Sequence, residues 1–126
     1  MAKLVESAPV LLVADVRRAA DYYRDRLGFA YERIWGDPPA FCMPQRDGLI
    51  VMLSQVPAGE AVDTEWRQAE GVWNAYFWVD DAQALHDEWL GNGATIVCPP
   101  SVKAYGILEF TIQDLDGHHI GIGQPV

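Results

Sequence analysis

The chain has 126 residues, half of them apolar, with 11 glycines and 8 prolines, which suits one compact domain with a real core and leaves too little for two. Its formal charge of −9 lies entirely in the second half: residues 1–58 hold seven acidic and seven basic side chains, whereas residues 59–126 hold eleven acidic ones against Arg67 and Lys103. So acidic a surface repels phosphate backbones, which argues against nucleic acid and leaves either plain solubility or a neutral or cationic small molecule as its purpose.

Along the chain, the first apolar run, Pro9 to Val13, is cut short by Asp15. It is too brief for a signal peptide or a membrane span, and a cytoplasmic location is expected. Residues 8–14 are rich in Val and Leu and read as a strand; Asp15 is a suitable N-cap, because its carboxylate accepts from free backbone N–H groups. Val16, Ala19, Ala20, Tyr23 and Leu27 then share one helical face, and Gly28 can supply the left-handed residue that ends the helix. Strands follow near 29–35, 39–45 and 48–55, the last two joined by a tight turn at Asp47-Gly48. A polar linker covers about 57–70 and contains Trp66. Beyond it the pattern returns: a strand over 72–79, an N-cap at Asp81, a helix burying Ala82, Leu85 and Trp89, Gly93 at its end, and strands near 94–99, 105–113 and 118–123. Cys42 and Cys98 lie far apart without metal-type spacing and read as buried free thiols, with a disulfide between them the minor alternative.

The return is a repeat. "VADVRRAADYYRDRLGF" (13–29) aligns with "VDDAQALHDEWLGNGA" (79–94) at an offset of 66, and "AFCMPQRDGLIVML" (40–53) aligns with "EFTIQDLDGHHIGI" (109–122) at an offset of 69. Two matches in the same order at nearly the same offset argue for a duplicated βαβββ unit. A single domain over 1–126 therefore divides into module 1, about 7–56, and module 2, about 71–124.

A duplicated βαβββ chain with "DVRRAADYYRDRLGF" after its first strand and "FTIQDLDGHHIGIGQ" at its end resembles the vicinal oxygen chelate superfamily, which includes glyoxalase I, extradiol dioxygenases and bleomycin resistance proteins. The resemblance covers nearly the whole chain. It implies an α+β fold in which two modules form a curved mixed sheet with a concave cup and helices on the convex side. It also implies that the enzymes' metal would be held at Ala8, Met52, Asn74 and Gly121. Two of these have no donor atom, a thioether is a poor partner for a hard cation, and a neutral amide is a weak one. The usual metal site, and with it any cofactor, is expected to be absent.

His118 and His119 do not rescue it, since neighbours on a strand point to opposite faces; His119 shares parity with Gly121 and should face the cup. A single histidine there suits a general base, a ligand contact, or merely a polar strand residue with a satisfied hydrogen bond. By the same parity Asn74, Tyr76 and Trp78 face the cup, and the two rings offer a stacking wall for a flat or cationic ligand, or else ordinary core or interface aromatics. Trp35, Trp66 and Tyr105 lie near loops expected to rim it. Within the superfamily, missing metal ligands, small size and acidity are most similar to the bleomycin resistance group, which implies a homodimer that sequesters a compound such as an antibiotic. Two alternatives stay open: a metal-dependent lyase or dioxygenase with displaced ligands, His119 with Glu109 or Asn74, and a non-catalytic dimer whose cup is filled by its own side chains.

Overall fold

The computed structural model describes residues 1–62 and 72–126, so Trp66 and most of the expected linker lie outside the described residues. Module 1 runs β1 (Val10–Val13), α1 (Val16–Leu27), β2 (Ile34–Trp35), β3 (Phe41–Cys42), β4 (Gln45–Arg46), β5 (Leu49–Ile50) and β6 (Met52–Gln55). Module 2 runs β7 (Ala75–Trp78), α2 (Ala82–Gly91), β8 (Thr95–Val102), β9 (Ile107–Gln113) and β10 (His119–Pro125). The fold is α+β: four strands pair in the order β1-β6-β3-β2, four in the order β7-β10-β9-β8, and β4 pairs with β5 alone. In both large sheets the first strand lies parallel to the last, and the remaining pairs are antiparallel. Among the described residues no helix is long and apolar enough to cross a membrane.

The duplication reaches the register. Val10 pairs with Met52 and Leu12 with Ser54 in module 1; their counterparts at offsets of 66 and 69 are Tyr76 with Gly121 and Trp78 with Gly123, and these are the pairs module 2 makes. The helix starts are duplicated too. Asp15 accepts from the N–H groups of Arg17 and Arg18, and Asp81 from that of Ala84. The first helical N–H of each module then donates to a glutamine at the end of its last strand, Val16 to Gln55 (2.9 Å) and Ala82 to Gln124 (2.8 Å). Helix starts leave N–H groups without internal partners, and both modules solve this in one way.

Module 1 departs from its expected strands. Pro44, buried and without an N–H, interrupts the third strand. Asp47 (φ 52°) and Gly48 (φ 80°) form a tight left-handed turn that folds β4 onto β5 as a separate hairpin. In module 2 the edge strand β8 is longer than expected and carries Pro99 and Pro100 between register shifts, a place where an unpaired main-chain position is tolerated. Cys42 is buried and Cys98 exposed, so only the first is the buried thiol expected; Cys98 sits on this irregular edge.

Leu11, Val13 and Leu53 from one sheet and Ala75, Phe110, Ile112, Ile120 and Ile122 from the other share a single core with the buried faces of α1 and α2. Fastenings across the seam are polar. Trp89 donates to the carbonyl of Leu27 (3.0 Å), Arg46 pairs with Glu88 (2.6 Å), and the hydroxyl of Tyr23 donates to Asp114 (2.8 Å). The "DLDGHH" turn serves this seam: Asp116 accepts from the N–H of Ala14, and the buried His118 donates from Nε2 to the carbonyl of Leu12 (2.6 Å). Burial pushes the Asp114 carboxyl above its ordinary range, with the nearby His118 and the Tyr23 hydrogen bond acting in the other direction.

Candidate functional site

Since the inner face of each sheet is committed to the shared core, the alternate residues of every strand turn outward. In module 2 these are Glu109 and Thr111 on β9, His119, Gly121 and Gly123 on β10, and Tyr76 and Trp78 on β7. The two glycines have a steric purpose. A Cβ on Gly121 would lie 2.7 Å from Nε1 of Trp73 and 2.5 Å from the ring of Tyr76, and one on Gly123 would overlap the Tyr76 hydroxyl. The Tyr76 ring thus lies over bare main chain. Trp73 meets it edge-on at 4.9 Å (68°) and Trp78 at 5.1 Å (65°).

Beside this row is a hollow of about 600 Å3 whose lining includes Trp73, Lys103, Tyr105, Glu109, Thr111 and His119. Glu109, only 4% exposed, sits at its base. The Tyr76 hydroxyl donates to Oε1 of Glu109 (2.8 Å), and the Tyr105 hydroxyl lies 2.9 and 2.8 Å from the two carboxylate oxygens. Burial, followed by the bond to Glu109, lifts the Tyr76 phenol well above the ordinary tyrosine range; at exposed Tyr105 the bond to Glu109 is the main cause of a rise. The indole N–H of Trp73 donates to Oγ1 of Thr111 (3.1 Å), which fixes its plane. His119 has Nε2 3.2 Å from Oε1 of Gln113, and burial lowers its imidazole below the usual range.

Of the residues singled out from sequence, His119 and Tyr105 line the hollow, and Tyr76 supports Glu109 from below. Asn74 uses its side-chain oxygen to accept from the N–H of His119 (3.2 Å). Trp78, 62% exposed, lines a smaller cleft of about 230 Å3 at the seam, between the β4–β5 hairpin and α2. Trp35 belongs to the other sheet, 5.9 Å from Phe41 and beneath the guanidinium of Arg33 (4.8 Å). Trp66 lies outside the described residues. Sequence reading overlooked Trp73 and Thr111, and weighed Glu109 only as a displaced metal ligand. The alternation in "ILEFTIQ", with Phe110 and Ile112 inward, is a signal that places Glu109 and Thr111 outward. No comparable signal marks Trp73, which stands just before the bend at Asn74 that leads into β7 and reaches the hollow outside the regular pleat.

The four positions at which the superfamily's metal would be expected do not fit one here. Ala8 has no donor, Met52 offers a thioether, the Asn74 oxygen already accepts a main-chain N–H, and the space above Gly121 holds Tyr76 and Trp73. Among the described residues no three His, Cys, Asp or Glu side chains gather as a donor set.

Two βαβββ units of identical strand order, with an outward hollow on one of them, define a duplicated-module fold. The chain belongs to the Glyoxalase/Bleomycin resistance protein/Dioxygenase superfamily, whose sequence pattern matches residues 7–122. No curated protein sequence matches it significantly. Among solved structures it is similar to the bleomycin-binding protein of bleomycin-producing Streptomyces verticillus, complexed with copper(II)-bleomycin (24% identity, all of both chains, TM-score 0.75). It is also similar to TnmS3, an antibiotic binding protein from Streptomyces sp. CB03234 (20% identity, 100% of this chain and 99% of that one, TM-score 0.73). A glyoxalase-related enzyme from Clostridium phytofermentans has the same fold at 14% identity (99% and 98% of the chains, TM-score 0.78). At these identities the likeness is one of fold, and the fold hosts both binders and enzymes.

Proposed function

We propose that this protein binds and sequesters an aromatic or cationic small molecule, such as an antibiotic, without a metal and without altering it. The observation that carries the reading is the seating of Tyr76 and Trp73 over Gly121: rings fill the space into which a metal-holding side chain would project, beside a hollow walled by aromatic residues. Sites of this kind, concave and mainly apolar with a few fixed polar groups, suit small ligands. The bleomycin-binding and antibiotic-binding neighbours agree with it. The working form is a homodimer. Val10 and Leu12 are 61% and 48% exposed on the outward face of module 1, an apolar surface suited to closing the open side of the hollow in a second copy.

The test is calorimetric titration of the purified protein with bleomycin and a panel of planar aromatic antibiotics, alongside elemental analysis and light scattering. Binding of at least one compound is expected, with substoichiometric metal and twice the 14.0 kDa chain mass. No binding across the panel, or one metal per chain, would overturn it. The metal-dependent alternative draws on His119 and Glu109 lining one hollow, but both Glu109 oxygens already accept from tyrosines.

A further inference from the structure

We infer that Glu109 is the anionic anchor of the hollow, and that the group it recognises is a protonated amine or guanidinium carried by a flat ligand. The inference rests on reading the hollow as the ligand site. Glu109 is a carboxylate 4% exposed, yet no Lys, Arg or His among the described residues lies within 4 Å of it. Lys103 lines the same hollow but makes no such pair. The partners of Glu109 are two neutral phenols, Tyr76 and Tyr105, oriented to donate. A buried carboxylate held by neutral donors alone is unfavourable compared with one facing a cation, and a folded chain that keeps it leaves a negative charge for an incoming positive one. The surroundings agree. Trp73 and Tyr105 present ring surface beside the carboxylate, and aromatic faces attract cations most strongly where water is excluded.

Arrangement separates this anchor from the protein's diffuse acidity. The −9 charge of the chain attracts any cation, but its pull falls away as salt is raised, whereas a contact with a carboxylate inside an aromatic hollow persists. Cationic ligands should therefore be preferred over neutral ligands of the same shape even in high salt, and the preference should depend on one residue.

The probes are 9-aminoacridine, a cation at neutral pH, and acridine, largely neutral there, titrated calorimetrically into the full chain. The parent should bind the cation at least about tenfold more tightly at both about 0.05 M and about 0.5 M salt. Glu109→Gln, which keeps the shape, removes the charge and turns one acceptor oxygen into an amide donor that a rotated tyrosine hydroxyl can accept, should bring the two affinities within about threefold of each other and change acridine binding far less than that of the cation. Equal loss of both probes in a folded Glu109→Gln variant, or no loss of either, would make Glu109 a structural support and overturn the inference. Should that variant fail to fold, the parent decides: a preference that vanishes at high salt belongs to net charge and sinks the anchor. If the parent binds acridine without favouring the cation, the anchor fails while the binding function stands; if it binds neither acridine nor any antibiotic, both fail.

Discussion

Val10 and Leu12 hold in module 1 the places that Tyr76 and Trp78 hold in module 2, and Met52 and Ser54 the places of Gly121 and Gly123. Strand order, register and the glutamine that steadies each helix start are the same in both units. What differs is the outward face: in module 1 aliphatic on β1 with the Trp35–Phe41 ring pair farther along the sheet, and in module 2 rings laid over glycine around a buried carboxylate. The shared inner face and helix caps belong to folding, and under the proposed function the outer face of module 2 is the one that holds the ligand. The same scaffold occurs twice, and the hollow around a buried carboxylate lies on the second.

The comparison breaks most sharply at Gly123. Gly123→Ala drives a methyl into the Tyr76 hydroxyl and should destabilise the protein by about 1–3 kcal/mol, as overpacking does. Ser54→Ala, at the matching place in module 1, should stay within about 0.5 kcal/mol. Urea denaturation of the two variants measures the contrast. Gln55→Ala and Gln124→Ala probe what the modules share; each removes one acceptor from a helix start, and the two losses should be alike, about 0.5–1.5 kcal/mol. Unequal losses would show that the repeated geometry carries unequal energy.

On binding, Trp73→Ala should weaken a planar ligand by about 0.5–1.5 kcal/mol, roughly two- to twelvefold, while Trp35→Ala on the other sheet leaves affinity unchanged. Calorimetry of both variants checks whether the rings of the two modules are equivalent. The smallest effect is in pH. Burial holds the folded-state pKa of His119 below its ordinary 6.5, so the unfolded chain takes up a proton first as pH falls. Its contribution is fully present above 6.5 and is lost as pH drops through the lowered folded value. His119→Gln should flatten the stability profile in that window, measured by melting temperature between about pH 5 and 7.5.

Much of the scaffold was legible in the sequence because it rests on local rules. Asp15 and Asp81 cap helices, the buried face of α1 is the periodic one, and the repeat predicts two units. The breakup of the module 1 strands was signalled by Pro44, whose missing N–H ends a strand interior, but the separate pairing of β4 with β5 depends on where the chain finds partners, which propensity does not tell. The hollow was half legible. Alternation marks Tyr76, His119 and, on β9, Glu109, but Trp73 enters from just before a bend, where alternation stops, and the pairing of Tyr105 with Glu109 spans a turn at Gly106 (φ 78°) that periodicity cannot describe. Trp78 shows the limit of the rule: its ring meets that of Tyr76 at 5.1 Å on the outward face, yet the residue borders the cleft beside α2 and not the hollow.

The bare main chain beneath Tyr76 also limits what the protein can become. Introducing a carboxylate at Gly121, the obvious first step toward metal chemistry on this scaffold, would strike two rings before it reached an ion. Trp73 and Tyr76 would have to shrink in the same step, and shrinking Tyr76 removes one of the two donors that hold Glu109. A route from this chain to a metalloenzyme therefore does not open with a substitution at Gly121 alone, and a laboratory attempt should start from a library that varies positions 73, 76 and 121 together.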